Sequence, residues 1–170
     1  MAMPKKIKSF NMFIEGEGFA GRVDEVTLPK LSRKMEGFRG GGMNAEVDID
    51  QGMEKLETEI NLGEIPRSVL NQFGVCDAAG VKMRFRAASQ SDSGDCAVDT
   101  TEVVMMGRFK EIDPGSVKSG DDTQLKLNAT LAYYRYSVDG EDVIEIDVLN
   151  MIEKVDGVDR LKEQRDAIGL

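Results

Sequence analysis

Histidine and tryptophan are both absent from this chain of 170 residues. Without histidine, the sequence lacks the commonest general acid or base, the commonest metal ligand and the base of every imidazole-dependent nucleophile triad. The remaining aromatic residues make up 6% of the chain, which is too few for a platform that stacks single-stranded nucleic acid. We therefore expect a chain that is not an enzyme, with no catalytic residues, no metal site and no cofactor.

Long apolar runs are missing as well. No segment approaches the ~20 apolar residues of a membrane-spanning helix, and Asn11 and Glu15 interrupt the apolar residues near the lysine-rich start. We expect a chain that is made and folded in a cytoplasm without targeting or membrane insertion. Its two cysteines, Cys76 and Cys96, form no CxxC pair, and we interpret them as reduced, with a disulfide between them as the alternative.

Acidic side chains outnumber basic ones, 31 to 22, which gives a formal net charge of -9. A surface of that sign repels phosphate, so we do not expect tight DNA binding through a basic face. The basic residues include a stripe at Lys82, Arg84 and Arg86. It is interpreted as a solvent-facing strand face or, alternatively, as an inter-subunit contact with an acidic face of another copy.

Alternation of apolar and polar residues dominates the chain and predicts a mainly β fold. We expect seven or eight antiparallel strands in one domain over residues 1–170, arranged as a β-barrel or sandwich. The clearest alternating positions are Leu56, Thr58, Ile60 and Leu62, and then Val81, Met83, Phe85 and Ala87. Gly107 predicts a bulge or a close backbone approach, and a change of phase near Tyr133 predicts a bulge or a change of burial. Asp139-Gly140 predicts a hairpin turn.

Two short helices complete the predicted fold. One begins at Pro66, ends near Gly74 and carries apolar residues at helical spacing. The other is an amphipathic C-terminal helix. The residues expected to face inward are Val69, Leu70 and Phe73 in the first, and Val158, Leu161 and, as a further candidate, Ile168 around the second.

Three consecutive glycines separate two extended segments, 26–35 and 47–62, the second of which is interrupted by Gly52. Glycine has the largest backbone entropy to lose on ordering, so such a loop in a compact domain is either functional or disordered. Phe38 and Met43 flank it and would lie in water at the tip of a lone hairpin. We therefore predict a projecting hairpin that is covered by a neighbouring chain. The candidate inter-subunit residues are Met35, Phe38, Arg39, Gly40, Gly41, Gly42, Met43 and Asn44.

Other chemical interpretations of polar and glycine-rich segments are weaker. The stretch from Gly37 to Gly42 is followed by neither Lys-Ser/Thr nor a helix, so it is not a phosphate-binding loop. The acidic run from Glu46 to Asp50 lacks the turn of oxygen ligands that calcium requires, which favours a solvated acidic face. The loop from Asp92 to Asp95 has no base nearby in sequence and is interpreted as a surface loop.

The segment TLPKLSRKMEGFRGGGMNAEVDIDQG, residues 27–52, is similar to the corresponding part of the major tail tube protein of contractile-tailed bacteriophages and of R-type, pyocin-like tailocins. The similarity resumes at GRFKEIDPG, residues 107–115, continues through YYR at 133–135, and ends at the terminal IGL. It covers nearly the whole chain in order.

This resemblance implies a tail-tube fold whose copies form hexameric rings that stack into a hollow tube around a shared β-barrel. The hairpin at about 33–50 would then reach a neighbouring subunit or ring. The implied partners are other copies of the chain, the tail sheath protein, a tape-measure protein inside the tube, and the baseplate tube-initiator and tail terminator proteins. The expected location is the phage tail or tailocin particle, assembled in the bacterial host cytoplasm.

The same resemblance suggests a use for the acidic balance. Carboxylates on the inner wall would repel DNA and let it pass without specific binding, and the candidates are Asp48, Asp50, Glu57 and Glu59. Three alternatives stay open: a tailocin tube that breaches the envelope without DNA, a secretion-system tube ring and, from a different class, a small-ligand-binding β-barrel module.

Overall fold

A computed structural model describes residues 3–92 and 96–170, so Ser93 and Asp95 of the polar loop lie outside the described residues. In this part of the chain there are twelve strands and two short helices. The strands are Lys6–Ile14 (β1), Glu17–Gly18 (β2), Val23–Thr27 (β3), Arg33–Phe38 (β4), Val47–Met53 (β5), Leu56–Leu62 (β6), Val81–Gln90 (β7), Val98–Asp113 (β8), Leu125–Val138 (β9), Glu141–Asp147 (β10), Ile152–Val155 (β11) and Val158–Asp159 (β12), and the helices are Arg67–Leu70 (α1) and Lys162–Ala167 (α2).

Ten of these strands form one antiparallel sheet that branches at β9. One edge of β9 pairs with β8, while its other edge pairs with β6 over residues 125–131 and with β10 over residues 133–138. The first branch continues from β6 to β3, and the second continues from β10 to β11 and β12. On the far side, the order runs from β8 through β7 and β1 to β2.

The apolar faces of these strands bury against one another as a single cluster, so the sheet wraps around its own core. The segment after β2 brings the ends of the sheet together, because the Phe19 amide donates to the Met12 carbonyl at 2.8 Å and the Val23 amide to the Phe19 carbonyl at 3.1 Å. The largest fully buried side chains are Phe19, Met12, Ile60, Leu62, Met83, Met105, Leu125 and Leu127. The predicted mainly β, antiparallel fold is confirmed.

The alternation in β6 and β7 is also confirmed. Every predicted inward residue of the two strands is buried, including Thr58, whose hydroxyl donates to the Thr27 carbonyl at 2.8 Å. The Asp139-Gly140 turn forms as expected, with both residues at positive φ, 50° and 84°. Hydrophobic periodicity at period two therefore located these core strands correctly.

The predicted phase change in β9 coincides with the branch point of the sheet. Met106 pairs with Tyr133 and Gly107 pairs with Leu131, so Ala132 is left without an opposing residue. Leu131 and Ala132 are consecutive and both buried. At this bulge the backbones approach so closely that a Cβ on Gly107 would lie 2.0 Å from the Thr130 carbonyl oxygen. The close approach predicted at Gly107 is therefore confirmed.

The predicted burial of both helices is wrong in part. Val69 is fully buried and Gly74 has a positive φ of 79°, but Leu70 is exposed and Phe73 is 62% exposed. The α1 helix has four residues, and so short a helix presents one apolar side chain to the core.

The C-terminal helix differs from its prediction for another reason. Leu161 is half-buried, whereas Val158 is exposed and Ile168 is 63% exposed. Polar contacts position α2: Arg165 donates to the Met151 carbonyl and to the Asp159 carboxylate, both at 2.8 Å. Its apolar side chains therefore need not enter the core.

We expect Gly107→Ala to lower the free energy of unfolding by about 1–3 kcal/mol, because a methyl group there collides with the backbone of β9 and forces the strands apart. Urea denaturation followed by far-ultraviolet circular dichroism measures the change. Gly41→Ala is the matched control, since no described atom lies within 4 Å of a Cβ there. An unfolding midpoint for Gly107→Ala equal to that of the control would show that the bulge tolerates a side chain.

Candidate assembly site

Strands β4 and β5 form a two-stranded sheet of their own. In their register Phe38 faces Val47, Glu36 faces Ile49 and Met35 faces Asp50. At the tip the Met43 amide donates to the Gly40 carbonyl at 3.2 Å, and Gly42 has a φ of +88° that glycine adopts without strain. Among the described residues, no third strand pairs with either edge. Residues 33–53 are called the arm below.

The register divides the arm into two chemically different faces. Directly opposed residues of an antiparallel pair share a face, and successive residues alternate between faces. Phe38, Val47 and Ile49 therefore lie together, and we call them the apolar face; one carboxylate, Glu36, lies beside Ile49 on that side. Asp48 and Asp50 lie on the opposite side with Met35, and we call that side the acidic face. Sequence analysis found both groups but did not relate them to one another.

The apolar face is open to solvent. Phe38 and Val47 are each 52% exposed, and Ile49 is 45% exposed. Burying such side chains is favourable by roughly 25 cal/mol for each Å² removed from water. The arm does not fold back to cover this face on its own chain, so another surface is needed to cover it.

The root of the arm is fixed by one arginine. Arg33 donates through Nε to Asp50 and through Nη1 to Glu153 of β11 at 2.7 Å, so it joins both arm strands to the main sheet. The hydrogen bond to Asp50 raises the pKa of the Arg33 guanidinium most, and the hydrogen bond to Glu153 raises it further. The pKa of the Asp50 carboxyl is lowered, chiefly because the Gly52 amide donates to it at 2.8 Å and then because of Arg33. These contacts tie the root of the arm to the main sheet.

The basic stripe on β7 has a partner within the chain. Arg84 Nη2 lies 2.8 Å and Arg86 Nε 3.4 Å from Oε2 of Glu102 on β8, whose side chain is mostly buried. The hydrogen bond from Arg84, and then the charges of Arg86 and Arg135, lower the pKa of Glu102. The structure thus brings Arg84 and Arg86 to one carboxylate. Lys82 is the stripe residue with no ion pair among the described residues.

The candidate inner-wall carboxylates are split between two sheets. Glu57 lies 2.8 Å from Lys55 and 2.9 Å from Lys110, and Glu59 lies 2.9 Å from Lys126. The hydrogen bond from Lys55 lowers the pKa of Glu57 most, and the hydrogen bond from Lys110 lowers it further.

The other two candidates lie on the acidic face of the arm. Asp50 pairs with Arg33. Asp48 is the candidate without an ionic partner in the part of the chain that the structure describes, so its charge is the least compensated of the four.

A cleft of about 430 Å³ opens at the root of the arm, and sequence analysis missed it. Its lining comes from the arm, β6, β9, β10 and the segments after β10 and β12, which are far apart in the chain. Its apolar lining residues include Met53, Leu56, Leu131, Ile146, Val148 and Leu161. The exposure of Val148, directly after the alternating run of β10, is the local sign of this surface. The cleft and the apolar face of the arm are two uncovered apolar surfaces on one molecule.

Other kinds of site find little support in the described residues. Within 3–92 and 96–170, no three metal-ligating side chains come together. In the same ranges no helix is long and apolar enough to cross a membrane. Cys76 and Cys96 are both free and exposed, in agreement with the interpretation of reduced thiols.

Comparison with known proteins gives matches along the whole chain. The model of the family described as phage tail tube protein FII matches residues 4–169. The tail tube protein of Escherichia phage P2 is 44% identical to this chain over 173 residues, and the match covers 100% of both chains. The major tail tube protein of Serratia phage KSP20 is 38% identical, and the match covers 92% of this chain and 91% of that protein. A chain in the sheath-tube complex of the PVC extracellular contractile injection system has the same fold, with a TM-score of 0.59, 10% identity, and coverage of 79% of this chain and 91% of that one.

The Glu102 cluster generates a pH-dependent prediction. Because the folded state lowers the pKa of this carboxyl, its contribution to stability is present above the ordinary glutamate pKa of about 4.3 and is lost as the pH falls through the lowered value. We expect Glu102→Gln to lower the free energy of unfolding by about 1 kcal/mol at neutral pH. The difference from the original chain should shrink in acid, as the pH falls below about 4.3 and through the lowered pKa.

Urea denaturation at neutral pH and in acid measures the difference in the free energy of unfolding. Glu141→Gln is the control, because Glu141 is exposed and has no ion pair among the described residues. A deficit for Glu102→Gln that persists unchanged in acid would contradict the assignment to the charged carboxylate.

Proposed function

The chain belongs to the phage tail tube protein FII family, and from that premise we propose that its copies stack as hexameric rings into the inner tube of a contractile phage tail. The two curated phage relatives, matched over nearly their full lengths, support a phage tail over the other contractile systems. The likeness to the injection-system tube concerns the fold alone. The role is structural and involves no catalysis.

The exposed apolar face of the arm is the observation that carries this proposal. A two-stranded hairpin on its own is marginally stable in water, and this one carries Phe38, Val47 and Ile49 in the open. A second copy that covers this face removes apolar surface from water on each subunit. Because the arm projects from one place and docks at another, the contact is head-to-tail, and such contacts propagate into a filament when they do not close.

The margins of the sheet support the same proposal. In the described chain β1 pairs with β2 at Phe13 and Ile14, while residues 6–12 have an outer edge without a partner strand. Open strand edges are templates for pairing with another chain. In a ring, the open edge of each subunit pairs with the sheet of its neighbour. The sheets then form one continuous barrel wall in which no strand edge stays open.

The acidic face of the arm suits a conduit for DNA. With the apolar face turned to a neighbouring copy, Asp48 and Asp50 point the other way, and we place them on the lumen wall. Carboxylates there repel phosphate and limit sticking of a passing genome. Glu57 and Glu59 contribute less to this field because lysines neutralise them. The further proposed partners are the sheath outside, a tape-measure protein inside, and initiator and terminator proteins at the tube ends.

We expect Phe38→Asp to leave the subunit folded and to abolish tube formation, since it replaces the largest side chain of the apolar face with a charge. Circular dichroism reports the fold, and negative-stain microscopy with sedimentation reports the tubes. Phe38→Leu is the matched control, because it keeps an apolar side chain at the same position, and it should still assemble.

Two results would contradict this proposal. Unfolding of the Phe38→Asp subunit would show that Phe38 is part of the core. Tubes of normal length from that variant would show that the arm is dispensable for assembly.

A further inference from the structure

We propose that the cleft at the root of the arm is the receptor for the apolar face of an arm from a second copy of this chain. The inference rests on the proposed tube function and identifies the two surfaces that meet. One surface is the side of the hairpin that carries Phe38, Val47 and Ile49. The other is the cleft between the arm root, β6 and the turn after β10.

The two surfaces match in chemistry. The cleft is lined mainly by aliphatic and methionine side chains, among them Met53, Leu131 and Leu161. Methionine side chains such as that of Met53 are flexible and adapt to an inserted aromatic ring. The volume of about 430 Å³ lies within the range of pockets that hold a bound group of several side-chain atoms. Phe38, at the far end of β4, is the largest apolar residue on the arm available to fill it.

The occupant cannot be the arm of the same molecule. Arg33 and Met53, at the start and end of the arm, line the cleft themselves, so the cleft lies where the arm begins. Phe38 lies five residues along β4 from Arg33, which is about 17 Å in an extended strand. The Arg33 bridge to Glu153 ties the root of the arm to the main sheet beside the cleft. The tip, at the far end of an extended ribbon, therefore reaches the corresponding cleft of another copy.

The unpaired charges around the two surfaces are complementary. Lys34 and Glu36, on the same side of the arm as Phe38, and Arg39, next to Phe38 at the tip, have no ion pair in the described part of the chain. Their summed charge is +1. Glu54 and Asp147 line the cleft and likewise have no cationic partner among the described residues. The remaining charged residues of the rim, Arg33 with Glu153 and Lys55 with Glu57, are already matched within the chain. Docking the arm brings a side with a net charge of +1 to a cleft with two unmatched carboxylates, which favours a second copy over an acidic partner.

A disulfide cross-link tests the contact directly. In a background with Cys76→Ser and Cys96→Ser, both at exposed free thiols, Phe38→Cys is combined with Val148→Cys, an exposed residue that lines the cleft. Oxidation joins the two only if their Cα atoms come within roughly 7 Å. The expected result is a shift of the monomer band to a ladder of covalent multimers on a non-reducing gel, in assembled tubes and not in dilute subunits.

The control variant uses the other face of the arm. Asp48→Cys combined with Val148→Cys places the thiol on the acidic face and should leave the band at the monomer position. Ile49→Cys with Val148→Cys repeats the test from the apolar face without altering Phe38, in case the first double variant fails to fold or assemble. Its ladder is expected as well.

Each other outcome overturns the inference. If both apolar-face variants form tubes and neither gives a ladder of multimers, the cleft has another occupant. If Asp48→Cys with Val148→Cys gives as much multimer as the apolar-face variants do, the assignment of the two faces is refuted. A fast-migrating monomer with an internal disulfide would show the arm folded onto its own cleft. Failure of the background chain to form tubes under the microscope would instead refute the proposed function, and this inference with it.

Discussion

A ribbon of two strands has no interior, and most features of this molecule follow from that constraint. The main sheet buries its apolar faces by wrapping around a single core, but among the described residues β4 and β5 have no third layer to pack against. Their apolar side chains Phe38, Val47 and Ile49 are consequently exposed in the single chain. The sequence therefore encodes a body with a core of its own and an arm whose stabilisation comes from another surface.

Several charged side chains of the body are matched locally: Glu102 with Arg84 and Arg86, Glu59 with Lys126, and Glu145 with Lys154 at 2.9 Å. Exposed pairs of this kind contribute little each, about 0–1 kcal/mol, but they neutralise part of the surface. On the arm, Lys34, Glu36, Arg39 and Asp48 have no ion pair among the described residues. Unpaired charges are therefore available to a partner where the apolar surface of the arm is also uncovered.

Much of the fold could be predicted from the sequence because its signals are local. Alternation placed the core residues of β6 and β7, and Gly107, with no side chain, marked the point where β8 and β9 approach too closely for a Cβ. The predictions that failed needed tertiary information. Helical spacing at Leu70 and Phe73 does not reveal that α1 lasts one turn. The pairing of Glu102 with the basic stripe depends on strand register, and the cleft is assembled from segments about a hundred residues apart.

The register of the arm also reconciles two roles that the sequence suggested separately. Residues near the glycine tip were expected to contact a neighbouring subunit, and the aspartates that follow were expected to face a lumen. If both groups lay on one face, a docked neighbour would bury the carboxylates and remove them from water. Burying an unpaired carboxylate is costly, and Arg33 is the one cation of the described arm that pairs with either aspartate. Because side chains alternate along a strand, Val47 and Ile49 point one way while Asp48 and Asp50 point the other. Covering the apolar face therefore leaves the acidic face in water, and a single hairpin holds subunits together while presenting negative charge on its other side.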